Sequence, residues 1–300
     1  MKTIGIVLNP RKKQVIPLLD ACDEWAQHYK DKISFLLCTY DSPYIRKQYN
    51  HFTTVPEADL LKQSDLIVTL GGDGTILRTV QAVGKKETPI LGVNLGGLGF
   101  LAETSPEQLI PHMEAYLQES YFIEARSLFA CYVPDRKVNY FAFNDFVIDK
   151  AGFSRVIEIM TYVNGSLLNS YVADALILST PSGSTGYSLS AGGPIVIPET
   201  NVFIINPICP HSLTNRPVVV PSTSKITLKV YTEHKEVSLF RDGQLVENYP
   251  SGITLELYKA DFKVRLVKVK PHSFFETLRN KLHWGEDFRD KNRWTYHNFK

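Results

Sequence analysis

Asp65-Leu-Ile-Val-Thr-Leu70, then Gly71-Gly72-Asp73-Gly74-Thr75, then Ile76, Leu77, Val80 and Val83 at helical spacing: this stretch decides how the chain folds. A short unbroken apolar run bounded by glycines is a strand buried on both faces, as in a parallel sheet. The glycines permit a sharp turn into a helix over Thr75 to Val83, with Gly84 as its stop. The same alternation extends both ways. Upstream, Thr3-Ile-Gly-Ile-Val-Leu8 is a strand, Leu18, Cys22, Trp25, Ala26 and Tyr29 mark a helix, and Ile33 to Thr39 is a second strand. Downstream come a strand at Pro89-Ile-Leu-Gly-Val93 and a helix near Pro106 to Glu119. Strands alternating with helices predict a parallel, doubly wound α/β sheet.

From about Tyr121 the period falls towards two. Tyr121 to Val133, Tyr140 to Asp149, Arg155 to Val163 and Leu167 to Val172 are predicted strands, with Asn164-Gly165 as a tight hairpin turn. Further strands are expected at Ile226 to Thr232, Val237 to Phe240, Ile253 to Leu257 and Phe262 to Val269. The expected layout is an α/β domain over residues 1–125, a β-rich, sandwich-like domain over 126–270, and a tail over 271–300. Leu278, Leu282 and Trp284 suggest a short docking helix in that tail.

The 300 residues are 44% apolar and 21% charged, which is globular rather than disordered. A net charge of +2 predicts attraction neither to nucleic acid nor to a membrane. Cys22, Cys38, Cys131 and Cys209 lack metal or redox spacing, and most sit in apolar runs, so buried thiols in a reducing compartment are expected. With no secretory segment at the start and no apolar run of spanning length, a cytoplasmic location is expected.

The glycine loop carries the chemistry. A helix start offers free N–H groups and positive dipole to phosphate oxygens. A carboxylate there repels phosphate unless it has a task, and Asp73 has two available: taking the proton of an attacking hydroxyl, or contacting a phosphate-bound metal ion. The competing structural explanation is an Asp N-cap. A second glycine cluster, Gly92-Val-Asn94-Leu-Gly96-Gly97-Leu-Gly99, follows the next strand, so both loops should share the carboxyl edge of one sheet. Gly71, Gly72, Thr75, Gly96 and Gly97 are the expected contacts for the phosphates of a nucleotide. In the β-rich half, Asp174-Ala-Leu-Ile-Leu-Ser179 runs into Thr180-Pro-Ser-Gly183-Ser184-Thr185-Gly186-Tyr187-Ser188-Leu-Ser190-Ala-Gly192-Gly193-Pro194. Its small and hydroxyl residues allow close approach to a ligand, and Tyr187 offers a ring for stacking.

Together with Asn144-Asp145, Asn206-Pro-Ile-Cys-Pro-His211, Asn215-Arg-Pro217 and Asp242-Gly-Gln244, these segments resemble the NAD kinase family in kind and order, over residues 71 to 244. The resemblance implies a phosphotransferase that moves the γ-phosphate of ATP to the 2′-hydroxyl of the adenosine ribose of NAD, giving NADP and ADP. It implies a divalent metal such as Mg²⁺, a homodimer or homotetramer, and a tail that packs back on the N-terminal domain. By motif position Asp73 is similar to the family's proton acceptor. Asp73, Gly74, Arg78, Asn144, Asp145, Arg155, Asp174, Thr185, Gly186, Tyr187, Ser188, Leu189, Ser190 and Gln244 match dinucleotide-binding positions, and no protein metal ligand is implied. Asp145 stands where the family usually has Glu, Val172 where an Arg is common, and Ala175 and Gly186 replace Gly and Ala. Two other functions use parts of this pattern: a lipid or sugar kinase sharing the glycine-aspartate loop, and a non-catalytic NAD(H)-binding regulator.

Overall fold

Five parallel strands form the first half: β1 (Lys2–Leu8), β2 (Ile33–Cys38), β3 (Phe52–Val55), β4 (Leu66–Gly71) and β5 (Ile90–Asn94), in the order β5-β4-β1-β2-β3. The structure, a computed structural model, describes residues 1–29, 31–38, 49–97, 99–152, 155–271 and 273–283. Helices α1 (Val15–Tyr29) and α4 (Leu109–Leu117) cover one face through Leu19, Cys22, Trp25 and Met113. Helices α2 (Glu57–Gln63) and α3 (Asp73–Val83) cover the other through Leu60, Ile76 and Val80. All six residues of β4 are buried, which is why its sequence shows no alternation. The strand order reverses between β1 and β4, and the carboxyl ends there open the crevice where such sheets bind ligands.

The second half consists of β6 (Phe122–Val133), β7 (Val138–Ala142), β8 (Asp145–Asp149), β9 (Ile157–Val163), β10 (Ser166–Ala173), β11 (Ala175–Ser179), the four-residue α5 (Tyr187–Ser190), β12 (Val202–Ile208), β13 (Val218–Pro221), β14 (Ile226–Tyr231), β15 (Glu236–Arg241), β16 (Gln244–Pro250) and β17 (Ile253–Lys268). The tail contributes α6 (Phe274–Leu282). A six-stranded antiparallel sheet, β13-β12-β11-β8-β15-β16, packs on a layer made of β6, β9, β14 and β17. Phe129 stacks on Phe203 across that interface, their ring centroids 3.6 Å apart, among Ile148, Ile159, Leu176 and Leu228. The second half is therefore an antiparallel sandwich beside a parallel α/β sheet.

Three features differ from the sequence expectation. The two strands expected over 253–257 and 262–269 are the single β17, whose pairing with β6 slips between Lys259 and Lys263. That slip hides its continuity from a period-two pattern. β17 also touches β5 in parallel at Leu266, so the parallel sheet and the outer sandwich layer form one 11-stranded sheet. Conversely, the single strand expected over 140–149 is two strands in two sheets, broken at Phe143 and Asn144. Helix α2 and strands β3, β12, β13 and β16 were not expected.

The hairpin turn at Asn164-Gly165 is as expected, with φ of 51° and 83°. Asp242-Gly243 makes a second such turn, with φ of 47° and 78°. Cys22, Cys38 and Cys131 are buried and in no disulfide, but Cys209 is exposed at a turn with φ of 47°. Thr39, Trp284 and the tail beyond it lie outside the described residues. Among the described residues no helix is long and apolar enough to cross a membrane.

Candidate active site

Gly72, not Asp73, caps α3, in an extended conformation and without a side-chain cap bond. Asp73 is the first helical residue, and its carboxylate turns away from its own helix to the second glycine segment. There Oδ2 accepts the N–H of Phe100 at 3.0 Å, and Oδ1 accepts those of Leu101 at 3.2 Å and Ala102 at 3.1 Å. A Cβ at Gly99 would lie 2.2 Å from Oδ1, so only glycine lets the two segments meet this closely. Gly71 pairs with Asn94 across β4 and β5, and the Leu95 N–H donates to the Gly71 carbonyl at 2.7 Å. Both glycine loops thus share the carboxyl edge of one sheet. Asn94 closes the second loop by donating to the Gly97 carbonyl at 2.7 Å and accepting from the Gly96 N–H at 2.9 Å. Gly72, Gly74 and Gly97 face open space. Gly71 is packed instead, because the Thr75 hydroxyl lies over it, 2.0 Å from where a Cβ would be.

The chain break at Asn144 makes a second constellation. Asp242, in the turn between β15 and β16, accepts the N–H groups of Phe143 at 3.0 Å, Asn144 at 2.7 Å and Asp145 at 3.1 Å. Its fourth partner is the Gln81 side-chain amide on α3, at 2.9 Å. The Thr180-to-Gly183 run grips the same break from the other side. The Thr180 N–H donates to the Asn144 carbonyl at 2.9 Å, and the Thr180 hydroxyl donates to the Phe143 carbonyl at 2.6 Å. A Cβ at Gly183 would lie 2.2 Å from the Asn144 carbonyl oxygen. Asn144, Asp145, Val147, Tyr187, Phe240 and Asp242 line a cleft of about 450 Å³. Tyr187 is exposed there, whereas the Asn144 Oδ1 is buried with no hydrogen-bond partner. Asp145 is buried, and burial first, then the neighbouring Asp242 charge, pushes its carboxyl up to about 7.

The other expected binding residues distribute unevenly. A Cβ at Gly186 would lie 3.8 Å from the Asn144 amide nitrogen, whereas the Thr185 hydroxyl donates to the Ser182 carbonyl at 3.4 Å. Ser188 is buried against Asn206, whose amide donates to its carbonyl at 3.0 Å, so it builds the loop. Leu189 is half-buried and Ser190 exposed on the same short helix. Arg78 points back to the end of β1, 3.5 Å from the Leu8 carbonyl and 4.0 Å from Glu57. Asp174 is ion-paired with Lys150 at 2.7 Å, at the opposite end of the β8–β11 pair from Asp145. Arg155 is ion-paired with Glu233 and lines a separate cavity of about 690 Å³ with Val172 and His211. Gln244 is exposed at the start of β16. Arg216 donates to the Leu213 and Asn215 carbonyls, both at 2.7 Å, so it braces its own loop.

Sequence reasoning singled out neither Asp242 as a partner of residues 143–145 nor Gln81 and Lys281. Their contacts span long sequence separations, and the one local signal was the Asp242-Gly243 turn. Among the described residues no group of three or more His, Cys, Asp or Glu side chains could hold a metal ion.

Two family models match the chain: the ATP-NAD kinase N-terminal domain over residues 4–121 and the ATP-NAD kinase C-terminal domain over residues 143–269. An NAD kinase of Geotalea daltonii is 37% identical over 293 residues, covering 95% of this chain and 100% of that protein. One from Geobacter metallireducens is 42% identical over 226 residues, covering 74% and 80%. Among solved structures, yeast NADH kinase complexed with NADH superposes with a TM-score of 0.84 at 26% identity, covering 96% of this chain and 89% of that one. An Archaeoglobus fulgidus NAD kinase in complex with ATP gives 0.73 at 26% identity, covering 94% and 98%.

Proposed function

This chain belongs to the ATP-NAD kinase family, whose members phosphorylate NAD, and from that premise we propose how its own residues carry the transfer. The bond between the γ-phosphorus of ATP and its bridging oxygen breaks, and ADP keeps the electron pair. A bond forms from the 2′-oxygen of the adenosine ribose to that phosphorus, and the hydroxyl proton passes to Asp73. The transition state is loose, so positioning and charge stabilisation supply most of the acceleration.

One observation supports Asp73 in this role above all. A carboxylate offers about four acceptor positions. Three at Asp73 are taken by the N–H groups of Phe100, Leu101 and Ala102, which fix the group rigidly. One position on Oδ2 is left for a substrate hydroxyl, and the side chain is 29% exposed. The open faces of Gly72, Gly74 and Gly97, with the start of α3, suit ATP phosphates.

The cleft at Asn144 suits the adenosine half of NAD. Asn144 lines that cleft and offers a polar side chain to a ligand, with its Oδ1 buried and without a hydrogen-bond partner. Asp145, held protonated into the neutral range, both donates and accepts towards hydroxyls, and Tyr187 supplies a stacking face. The Gln81–Asp242 bond ties this cleft to α3, whose first residue is Asp73. Asp174 and Arg155 lie away from it and would meet the far end of the dinucleotide or a second copy of the chain, in keeping with a homodimer or homotetramer.

A Mg²⁺ ion would arrive on the ATP phosphates; among the described residues the acidic groups form no cage for one. When bound, that ion supplies charge neutralisation between the phosphates. Four cysteines in no disulfide suit a reducing, cytoplasmic setting.

Purified protein given ATP, Mg²⁺ and NAD should form NADP, read by reduction with an NADP-specific dehydrogenase. NADH, diacylglycerol and fructose 6-phosphate are offered in parallel. Phosphorylation of lipid or sugar in place of the dinucleotide overturns the assignment, and NAD binding with no NADP formed at any donor or metal makes the chain a sensor.

A further inference from the structure

The glycine loop has a visitor from the far end of the chain. Helix α6 docks through the buried Thr277 and Leu278, and Phe274 lies against Phe100 with ring centroids 6.2 Å apart. Lys281, one turn beyond Leu278, is thereby placed beside Asp73. Its Nζ is 3.7 Å from Asp73 Oδ2 and 4.5 Å from the centre of the Phe100 ring. We propose that Lys281 is a phosphoryl-contacting residue of the transfer reaction, carried into the mouth of the glycine loop by α6.

Two features separate this role from that of a simple counter-ion. First, 3.7 Å is too long for a direct hydrogen bond, so the ammonium faces the last acceptor position of Oδ2 without filling it. The ammonium carries three N–H donors beside a residue flanked by Gly72 and Gly74, whose faces are open, and the side chain is 36% exposed. Secondly, positive potential here exceeds what one carboxylate needs. Asp73 already receives three backbone N–H groups and sits on the first turn of α3, whose dipole is worth roughly half a positive charge. Adding a full ammonium leaves a surplus that matches the several negative charges of a transferring phosphoryl group.

Among the described residues, Lys12 sits on the second glycine loop, donating to the Leu95 carbonyl at 3.3 Å, and Arg78 turns to Leu8 and Glu57, so Lys281 is the cation beside Asp73 itself. Lys281 takes no part in the proton transfer, so the atom and electron balance of the reaction is unchanged.

This inference rests on the kinase reading above, and the experiment separates the two. Full-length wild type, Lys281→Met and Lys281→Arg are compared by steady-state kinetics with ATP and NAD varied separately, and by thermal unfolding. Lys281→Met should lower kcat by about tenfold to a hundredfold while the KM for NAD stays within about twofold. Lys281→Arg should recover most of that loss, with the three unfolding midpoints alike. Unchanged kcat and KM for ATP in Lys281→Met overturns the inference. So does a lowered midpoint with no recovery in Lys281→Arg, which assigns the lysine to docking. A wild type that forms no NADP defeats the kinase reading instead.

Discussion

Asp73 and Asp242 are the same device used for two ends. Each carboxylate reaches across the fold to accept three consecutive backbone N–H groups, Phe100 to Ala102 for one and Phe143 to Asp145 for the other. The difference is in the fourth position. At Asp242 the Gln81 amide fills it, so every lone pair is spent inside the protein. At Asp73 it opens on solvent and the glycine loop, with Lys281 standing off at 3.7 Å. A saturated carboxylate is architecture, and one lacking a single partner is held still yet remains able to react.

Mutation should break or sharpen that contrast. The largest effect is expected from Asp73→Asn, whose turnover should fall at least about a thousandfold, because the proposed proton acceptor is gone. Its cost in stability should be about 1–3 kcal/mol, since one backbone N–H loses a charged partner. Near-normal turnover would make Asp73 a second Asp242. Asp242→Ala should reverse the ranking, losing about 3–5 kcal/mol in denaturant unfolding while the surviving enzyme shows chiefly a raised KM for NAD. A smaller stability loss than that of Asp73→Asn would end the distinction.

Asp145 gives the next test. Its carboxyl is raised from 3.8 to about 7 in the folded protein, so the proton is held more tightly folded than unfolded. That contribution is fully present below about pH 4 and is lost as pH rises to about 7. Between those limits wild type should lose up to about 4 kcal/mol relative to Asp145→Asn, read from paired unfolding curves. Parallel curves would show that burial does not govern this group. The smallest effect belongs to Gln81→Leu, about 1 kcal/mol or less in stability with a few-fold rise in the KM for NAD, because it removes only the link between α3 and Asp242. No change in that KM would mean the cleft is held without α3.

Much of this was legible because it is local. Buried parallel strands are unbroken apolar runs, glycine turns follow them, and Asn164-Gly165 is a hairpin signal two residues long. The glycine loops could be assigned to one sheet edge because each directly follows a strand. What could not be read was the partner of each side chain. Asp73 meets residues 27 to 29 positions away and Asp242 meets residues 97 to 99 positions away, separations at which periodicity carries no information. Nor did Ser188 in a loop rich in hydroxyls announce that it faces inward to Asn206, or Arg155 that it opens on a different cavity from Asn144. The break at Asn144 was hidden because the apolar runs Tyr140 to Phe143 and Phe146 to Ile148 on its two sides read as one continuous strand.

β17 has a mechanical consequence. Because one continuous 16-residue strand is hydrogen-bonded to β14 and β6 and touches β5, it acts as a beam set into both halves. Bending one half against the other would work against that shared strand and its Leu266–Ile90 pairing with β5, so clamshell closure over substrate is a motion this architecture resists. Shielding the reaction from water therefore falls to smaller parts set on a still frame: the glycine segments, Tyr187 and the terminal helix.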